Sequence, residues 1–483
     1  IFYNKDSLGI FFEIDPIIGS NEAIEKNLTL FFTDHIPEHG HLQFLVVADT
    51  DIRPAIYCWE KGRGYGGELI KKMTRYRKRF IEDLAVDFAS NEGRLVRNYR
   101  FFVSFSIKKD VKNSLEVINK FKSKLYNKLK TERLGPNLCY GADLIEIAGS
   151  LLQMELKKDG RRKRYDVIND LPGQIVEPLT PNTVLDKGII HHKTGLMTKM
   201  FSVKELPPSF SLGQMINLLG DDKRSIPGRF AISYTVSNNL GKSGTSAILA
   251  NGHRVIHAAS REYTKNDLVV QEEANQWRQA IALHKKGERF LHESFVIMLN
   301  TREEEAEIAE EMLVSIYNSY DWKLDPCKDI QRVASLCMLP MMQASYFRSM
   351  KFFRLIKYAL SGEIVAKLPI HGEWKGGLAS GVLLFGRRGQ LFNFNPYKRI
   401  GGGGNYNICM MAPSGSGKSF LLQELVQSML ALDTAVFVLD IGASYKNICA
   451  LQKGEMVRFN HQTNISLNPF ATLSNSGARY AKA

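Results

Sequence analysis

The sequence has no apolar run approaching the roughly 18–20 residues that a helix needs to cross a bilayer, so helical spans do not organise this chain. No secretory leader is visible. The first residue is Ile1 rather than Met, and the expectation is a cytoplasmic protein whose true N-terminus lies further upstream. Cysteine is scarce and scattered, at Cys58, Cys139, Cys327, Cys337, Cys409 and Cys449, with no Cys-x-x-Cys pair. That argues for a reduced compartment, and against structural zinc. Acidic residues are in deficit, 50 against 64 Lys and Arg, which gives a formal charge of +14. Such a surplus favours an acidic partner, either nucleic acid or an anionic membrane surface, and charge alone does not choose between them.

What is present is an ordinary globular composition, 44% hydrophobic and 24% charged over 483 residues. That length exceeds one compact core, so two or three domains are expected.

The most informative stretch is Ala412-Pro413-Ser414-Gly415-Ser416-Gly417-Lys418-Ser419. It fits the phosphate-loop pattern with Ala in place of the first Gly, still a small residue. Asn407–Met411 reads as a short apolar strand entering the loop, and Phe420–Leu430 has helical spacing of its apolar residues. Strand, Gly-rich loop and helix is the context that gives the motif its chemistry. Backbone N–H groups from Ser414 to Ser419 can curl round phosphates, with Gly415 and Gly417 allowing close approach and the helix N-terminus adding positive partial charge. Lys418 would reach the β- and γ-phosphates, and the Ser419 hydroxyl would hold Mg²⁺. The nucleotide contacts are therefore Pro413, Ser414, Gly415, Ser416, Gly417, Lys418, Ser419 and Phe420. The catalytic roles fall to Lys418 and Ser419, with ATP and Mg²⁺ as cofactors.

Upstream, strands are expected at Gly9–Ile14, His41–Val47, Tyr99–Phe105, Phe230–Val236 and Ser294–Leu299, with helices between them. A helix with Leu69, Met73, Tyr76, Phe80, Leu84 and Phe88 inward carries Lys71, Lys72, Arg75, Lys78 and Arg79 on its other face. A second basic helix covers about Val111 to Lys130. A long helix runs from about Asn266 to Lys286 and stops at Gly287. Thr301 and Glu304 form a capping box for a helix with Ile308, Met312, Ile316 and Tyr320 inward. Two strand–helix–strand–helix units of parallel appearance suggest a two-layer α/β domain. The proline-rich segment from about 159 to 227 reads as a connecting region. A helix over Met341–Leu360 closes the domain, and Val382–Phe385 with Gln390–Phe394 forms a hairpin. The nucleotide domain is expected to start near residue 375.

Smaller signals are weighed against ordinary roles. Asp440, at the end of Ala435–Asp440, suits a turn better than the metal site. The basic run Lys157–Arg164 suits a solvated loop better than a lipid or acidic-protein contact. His35, His39 and His41, in a stretch marked as a loop by Pro37 and Gly40, make a poor metal frame.

The order of these features resembles the ATPases that power type IV secretion and conjugation machines, in their TraC-like (F-type) branch. The resemblance is carried by Ala412–Ser419, by Asp440-Ile441-Gly442-Ala443-Ser444-Tyr445-Lys446 and by Ser466-Leu467-Asn468-Pro469-Phe470, with further likeness around Gly9–Asn21. It implies an α/β protein in two parts: an N-terminal α/β docking domain over 1–375, and the first part of a RecA-like phosphate-loop domain over 376–483, incomplete at its C-terminal end. It implies an ATP hydrolase at the cytoplasmic side of the bacterial inner membrane, peripherally attached and assembled as a hexamer. Its partners would be inner-membrane components of the machine and its work pilus biogenesis or substrate transport. The family's Asp-Glu pair, later polar sensor and arginine finger have no match in these 483 residues. A DNA-translocating hexameric motor and a nucleotide-binding assembly scaffold are the alternative readings.

Overall fold

A computed structural model describes residues 1–64, 67–86, 95–153, 165–175, 182–221, 223–377, 380–398 and 405–459. Contacts divide the chain into two compact units: Ile1–Lys61 with Arg75–Asn395, and Gly62–Thr74 with Pro396–Ala483.

The first unit opens with β1 (Phe2–Tyr3), β2 (Ser7–Ile14), α1 (Glu22–Asp34), β3 (Gly40–Asp49), α2 (Arg53–Lys61) and α3 (Glu68–Val86), whose first turns belong to the second unit. It continues through β4 (Asn98–Lys108), α4 (Ser114–Thr131), β5 (Asn137–Leu138), α5 (Gly141–Gln153), α6 (Leu171–Ile175), β6 (Asn182–Leu185), β7 (Gly188–His191) and β8 (Leu196–Glu205). A 3₁₀ helix (Leu212–Leu219) leads to β9 (Arg229–Asn238), α7 (Gly241–Ala259), α8 (Leu268–Lys285), β10 (Phe290–Arg302) and α9 (Ala306–Asn318). The unit closes with β11 (Lys323–Pro326), α10 (Gln331–Met338), α11 (Gln343–Phe352), β12 (Lys357–Leu360), α12 (Ser361–Ala366) and the hairpin β13 (Val382–Phe385) and β14 (Leu391–Phe394).

Apart from the hairpin, the described strands join one twelve-stranded sheet, whose middle runs β2-β4-β3-β9-β10-β8 with every neighbouring pair antiparallel. The units of parallel appearance are thus resolved: β2 and β3 do run parallel, but β4 lies between them. The order is a repeat. Strand, helix, strand, helix pair, strand, helix describes both β2–α4 and β8–α9, with the 3₁₀ helix in the place of α1. The halves meet at the β3–β9 pair, where Phe44 stands opposite Tyr234.

Alternation along each strand feeds two cores. One face takes Phe12, Phe44, Phe105, Ile232 and Ile297, covered by α1, α4, α9 and α12. The other takes Phe11, Leu45, Phe102, Ala231 and Met298, covered by α5, α10 and α11. The α/β class stands, but the unit has three layers rather than the expected two. Both faces of the middle strands are apolar, and an uncovered face would leave Phe11 and Phe102 in water at about 1.5–3 kcal/mol each.

Several local expectations are corrected. α3 buries Ile70, Thr74, Ile81 and Leu84 and leaves Tyr76 and Phe80 exposed. The two stripes are one residue apart, and the inner one also carries Arg77, whose guanidinium donates to the Leu383 carbonyl at 2.8 Å. Phe88 lies outside the described residues. No capping box forms at Thr301 and Glu304, because Thr301 is still inside β10 and α9 starts at Ala306, burying Ala309, Leu313, Ile316 and Tyr317 while Ile308 faces out. The expected Met341–Leu360 helix is α11 followed by the edge strand β12. The region from about 159 to 227 is no mere connector, since it supplies β8 to the sheet. Lys199 interrupts the apolar pattern of that strand and is buried through an ion pair with Glu310 at 2.6 Å.

The second unit contains α13 (Lys418–Ala431) and α14 (Lys446–Leu451). Asn407–Met411 and Ala435–Asp440, expected as strands, pair with no strand among the described residues. A strand requires a hydrogen-bonded neighbour, and apolar sequence alone does not supply one.

Candidate phosphate-binding site

The phosphate loop is built by two short-range devices. The Pro413 carbonyl accepts from the Ser416 backbone N–H at 3.3 Å and from the Ser416 hydroxyl at 2.7 Å, closing a tight turn. Gly415 and Gly417 hold φ of +80° and +92°, a region that L side chains rarely adopt, and α13 starts immediately after. The first helical hydrogen bond runs from Leu421 N–H to the Gly417 carbonyl at 2.9 Å. The N–H groups of Gly415, Gly417, Lys418, Ser419 and Phe420 therefore have no acceptor among the described residues.

Open donors around a helix N-terminus attract an anion. Space above Gly415 and Gly417 is open, with nothing within 4 Å of where a Cβ would stand. Lys418 and Ser419 are exposed at the first turn of α13, and Lys418 makes no ion pair among the described residues. Pro413, Ser414, Ser416 and Phe420 complete the exposed rim. The donor set fits a polyphosphate, with the Lys418 ammonium and the Ser419 hydroxyl exposed beside it.

The helix behind the loop has an anchor that sequence reading missed. Arg63 is only 7% exposed, and its guanidinium donates to the Ser428 hydroxyl of α13 at 3.2 Å and to the Thr74 hydroxyl at 3.1 Å. No local pattern links residue 63 to 428; only the fold does. Asp440 is occupied by its own turn: its carboxylate accepts from Gly442 N–H at 3.1 Å and Tyr445 N–H at 3.3 Å. Gln423 on α13 donates to the Ser444 carbonyl at 2.9 Å, tying the Asp-Ile-Gly-Ala-Ser-Tyr turn to the phosphate-loop helix. Burial and the Asp440 charge both raise the Tyr445 hydroxyl pKa. The Asn468-Pro469-Phe470 element and the Lys157–Arg164 run lie outside the described residues.

Other titratable groups are structural. His41 is buried, with Nδ1 2.7 Å from the Ser237 hydroxyl, and His39 contacts Asn239. A cavity of about 20 Å³ in the first unit, lined by Tyr234, Glu293, Lys357 and Lys367 among others, has room for one water. Beside it Glu293 pairs with Lys367 at 2.5 Å and accepts from the Tyr234 hydroxyl at 2.6 Å. That triad is a buried tie between β9, β10 and the end of α12.

A Gly-rich loop with free amides at a helix N-terminus, joined to a large α/β unit, defines a phosphate-loop nucleotide-binding protein. Residues 1–343 match the family model described as TraC protein, and residues 392–479 match the one described as TraG P-loop domain. The chain belongs to the TraC family of type IV conjugation systems. Protein TraC of Escherichia coli (strain K12) is 24% identical over 496 aligned positions, covering 96% of this chain and 56% of that protein. The chain thus spans little more than half the length of that relative. Among the described residues no helix is long and apolar enough to cross a membrane.

Proposed function

We propose that this chain contributes the docking unit and the nucleotide-binding loop of an ATPase that energises a type IV conjugation system. Its place is the cytoplasmic side of the bacterial inner membrane, held there peripherally by other components of the machine. The observation that carries the nucleotide reading is the set of N–H groups of Gly415, Gly417, Lys418, Ser419 and Phe420, without acceptors among the described residues, at the start of α13. These amides would cradle the phosphates of ATP, with Lys418 placing its charge against the β- and γ-phosphates. Ser419 would hold Mg²⁺, which neutralises charge between those phosphates when bound. Asp440, held in its own turn, is left out of the metal site.

The protein acts as a ring of identical subunits, a hexamer in this reading, in which a neighbour's arginine completes each site. The test is Lys418→Ala in the full-length protein. Conjugal transfer should be lost and ATP turnover should fall to background, while the variant accumulates normally. Retained turnover at the wild-type rate would refute the assignment of the site.

A further inference from the structure

The repeat in the first unit places α4 and α9 in equivalent positions, yet the two helices carry opposite charge. Both cover the same face of the sheet: Ile118, Phe121, Leu125 and Leu129 of α4 and Leu313, Ile316 and Tyr317 of α9 line one core. In sheet order α4 lies over β2 and β4, and α9 over β10 and β11, with β3 and β9 between. They therefore flank that face on opposite sides.

The outward surface of α4 and its flanks is basic. Lys112, Lys124, Lys130 and Arg133 are exposed, Lys122 is half-buried, and none forms an ion pair among the described residues. The outward surface of α9 is acidic. Six of the nine residues from 303 to 311 are Glu, and of these Glu310 is taken by Lys199. Glu303, Glu304, Glu307 and Glu311 are exposed and make no ion pair among the described residues. Each surface also presents apolar side chains, Leu115 and Tyr126 on α4 and Ile308, 61% exposed, on α9.

We infer that α4 of one copy docks on α9 of the next, a head-to-tail contact between first units. It deepens the ring assembly proposed above and rests on it. Used once per neighbour, two different surfaces that complement each other form a heterologous interface, the kind that closes into a ring or extends as a filament. Opposed charge sets the partner and the register, and the apolar residues supply contact that salt does not screen. Like-charged surfaces repel, which disfavours α4 on α4 and α9 on α9.

The experiment is sedimentation velocity of the 483-residue chain without nucleotide, at about 50 mM and about 500 mM salt, where screening differs strongly. Wild type should self-associate at low salt and about tenfold or more weakly at high salt. Lys122→Glu/Lys124→Glu/Lys130→Glu should be monomeric, and so should Glu304→Lys/Glu307→Lys/Glu311→Lys. An equimolar mixture of the two should associate again, because each variant then meets a complementary neighbour; this rescue also shows that both variants are folded. Self-association of wild-type strength in either variant alone would overturn the interface while leaving the ring reading intact. A wild-type chain that stays monomeric at low salt would overturn the interface between first units. Loss of binding to phosphatidylglycerol vesicles by the α4 variant, with self-association unchanged, would assign the basic face to a bilayer and overturn the inference.

Discussion

The two units treat apolar side chains in opposite ways. In the first, every middle strand of the sheet is paired on both edges and covered on both faces, and Phe11, Phe105 and Phe201 are fully buried. In the second, Phe437 and Leu439 are 95% and 98% exposed on a segment with no strand partner among the described residues. The difference separates two kinds of structural information. The sheet unit is held by contacts between residues hundreds of positions apart. The phosphate loop is shaped by residues within eight positions of one another, and it needs no sheet to present its amides.

The comparison can be broken most severely at the buried triad of the sheet unit. Lys367 is 2% exposed against Glu293, and removing the ammonium strands a buried carboxylate. Lys367→Ala should cost about 3–5 kcal/mol. All four tryptophans, Trp59, Trp277, Trp322 and Trp374, belong to the first unit, so fluorescence-detected urea unfolding reports on it alone. Phe105→Ala, where the ring packs tilted against Phe121, should cost about 3–4 kcal/mol by the same readout. A loss below about 1 kcal/mol for both would contradict the two-faced core.

Acid should also act mainly on the sheet unit. Burial, with His292, His39 and Lys108 adding repulsion, holds His41 down at about 3. Burial and then Lys351 hold His292 at about 4, and burial holds His371 at about 4. In the unfolded chain these imidazoles titrate near 6.5. Between the two ranges the unfolded chain binds more protons, so stability is whole above about pH 6.5 and declines as pH falls toward 4. Each histidine should contribute roughly 1–3 kcal/mol to that decline. His292→Phe should flatten the profile; an unchanged slope would show that the ring titrates freely in the fold.

The smallest expected effect separates a turn from a metal ligand. Asp440→Ala removes two turn hydrogen bonds, worth about 1 kcal/mol to the second unit. It should leave the tryptophan signal unmoved and change Mg-nucleotide affinity by less than about threefold. A larger, Mg²⁺-dependent loss would return Asp440 to the metal site.

Much of this was legible in the sequence, for reasons that differ by region. The phosphate loop is a local device, so Gly415 and Gly417 announce its shape, and Lys418 and Ser419 the chemistry proposed for it. The strands at 9–14, 41–47, 99–105, 230–236 and 294–299 showed because their cores are aromatic and β-branched. β8 was hidden, since Lys199 breaks its apolar pattern and is tolerated only because the carboxylate of Glu310, more than a hundred residues away, accepts a hydrogen bond from its ammonium and pairs with it. The inward face of α3 was ambiguous, because two adjacent apolar stripes compete and Arg77 decides between them through Leu383. The repeat across β3 and β9 showed in the sequence only as two similar strand–helix–strand–helix units, and the strand order that joins its halves did not. Its halves share a topology, while their helices α4 and α9 have diverged to opposite charge.

The central claim is that residues 412–419 form a self-sufficient phosphate site in this chain. It is tested most directly by titrating Mg-ATP into the 483-residue protein and its Lys418→Ala variant by calorimetry, with fluorescence unfolding run alongside. Removing a charge-assisted contact of about 2–3 kcal/mol should weaken binding about 30- to 150-fold, with the unfolding of the sheet unit unchanged. Equal affinity in the two proteins would contradict the site, whatever the affinity proved to be.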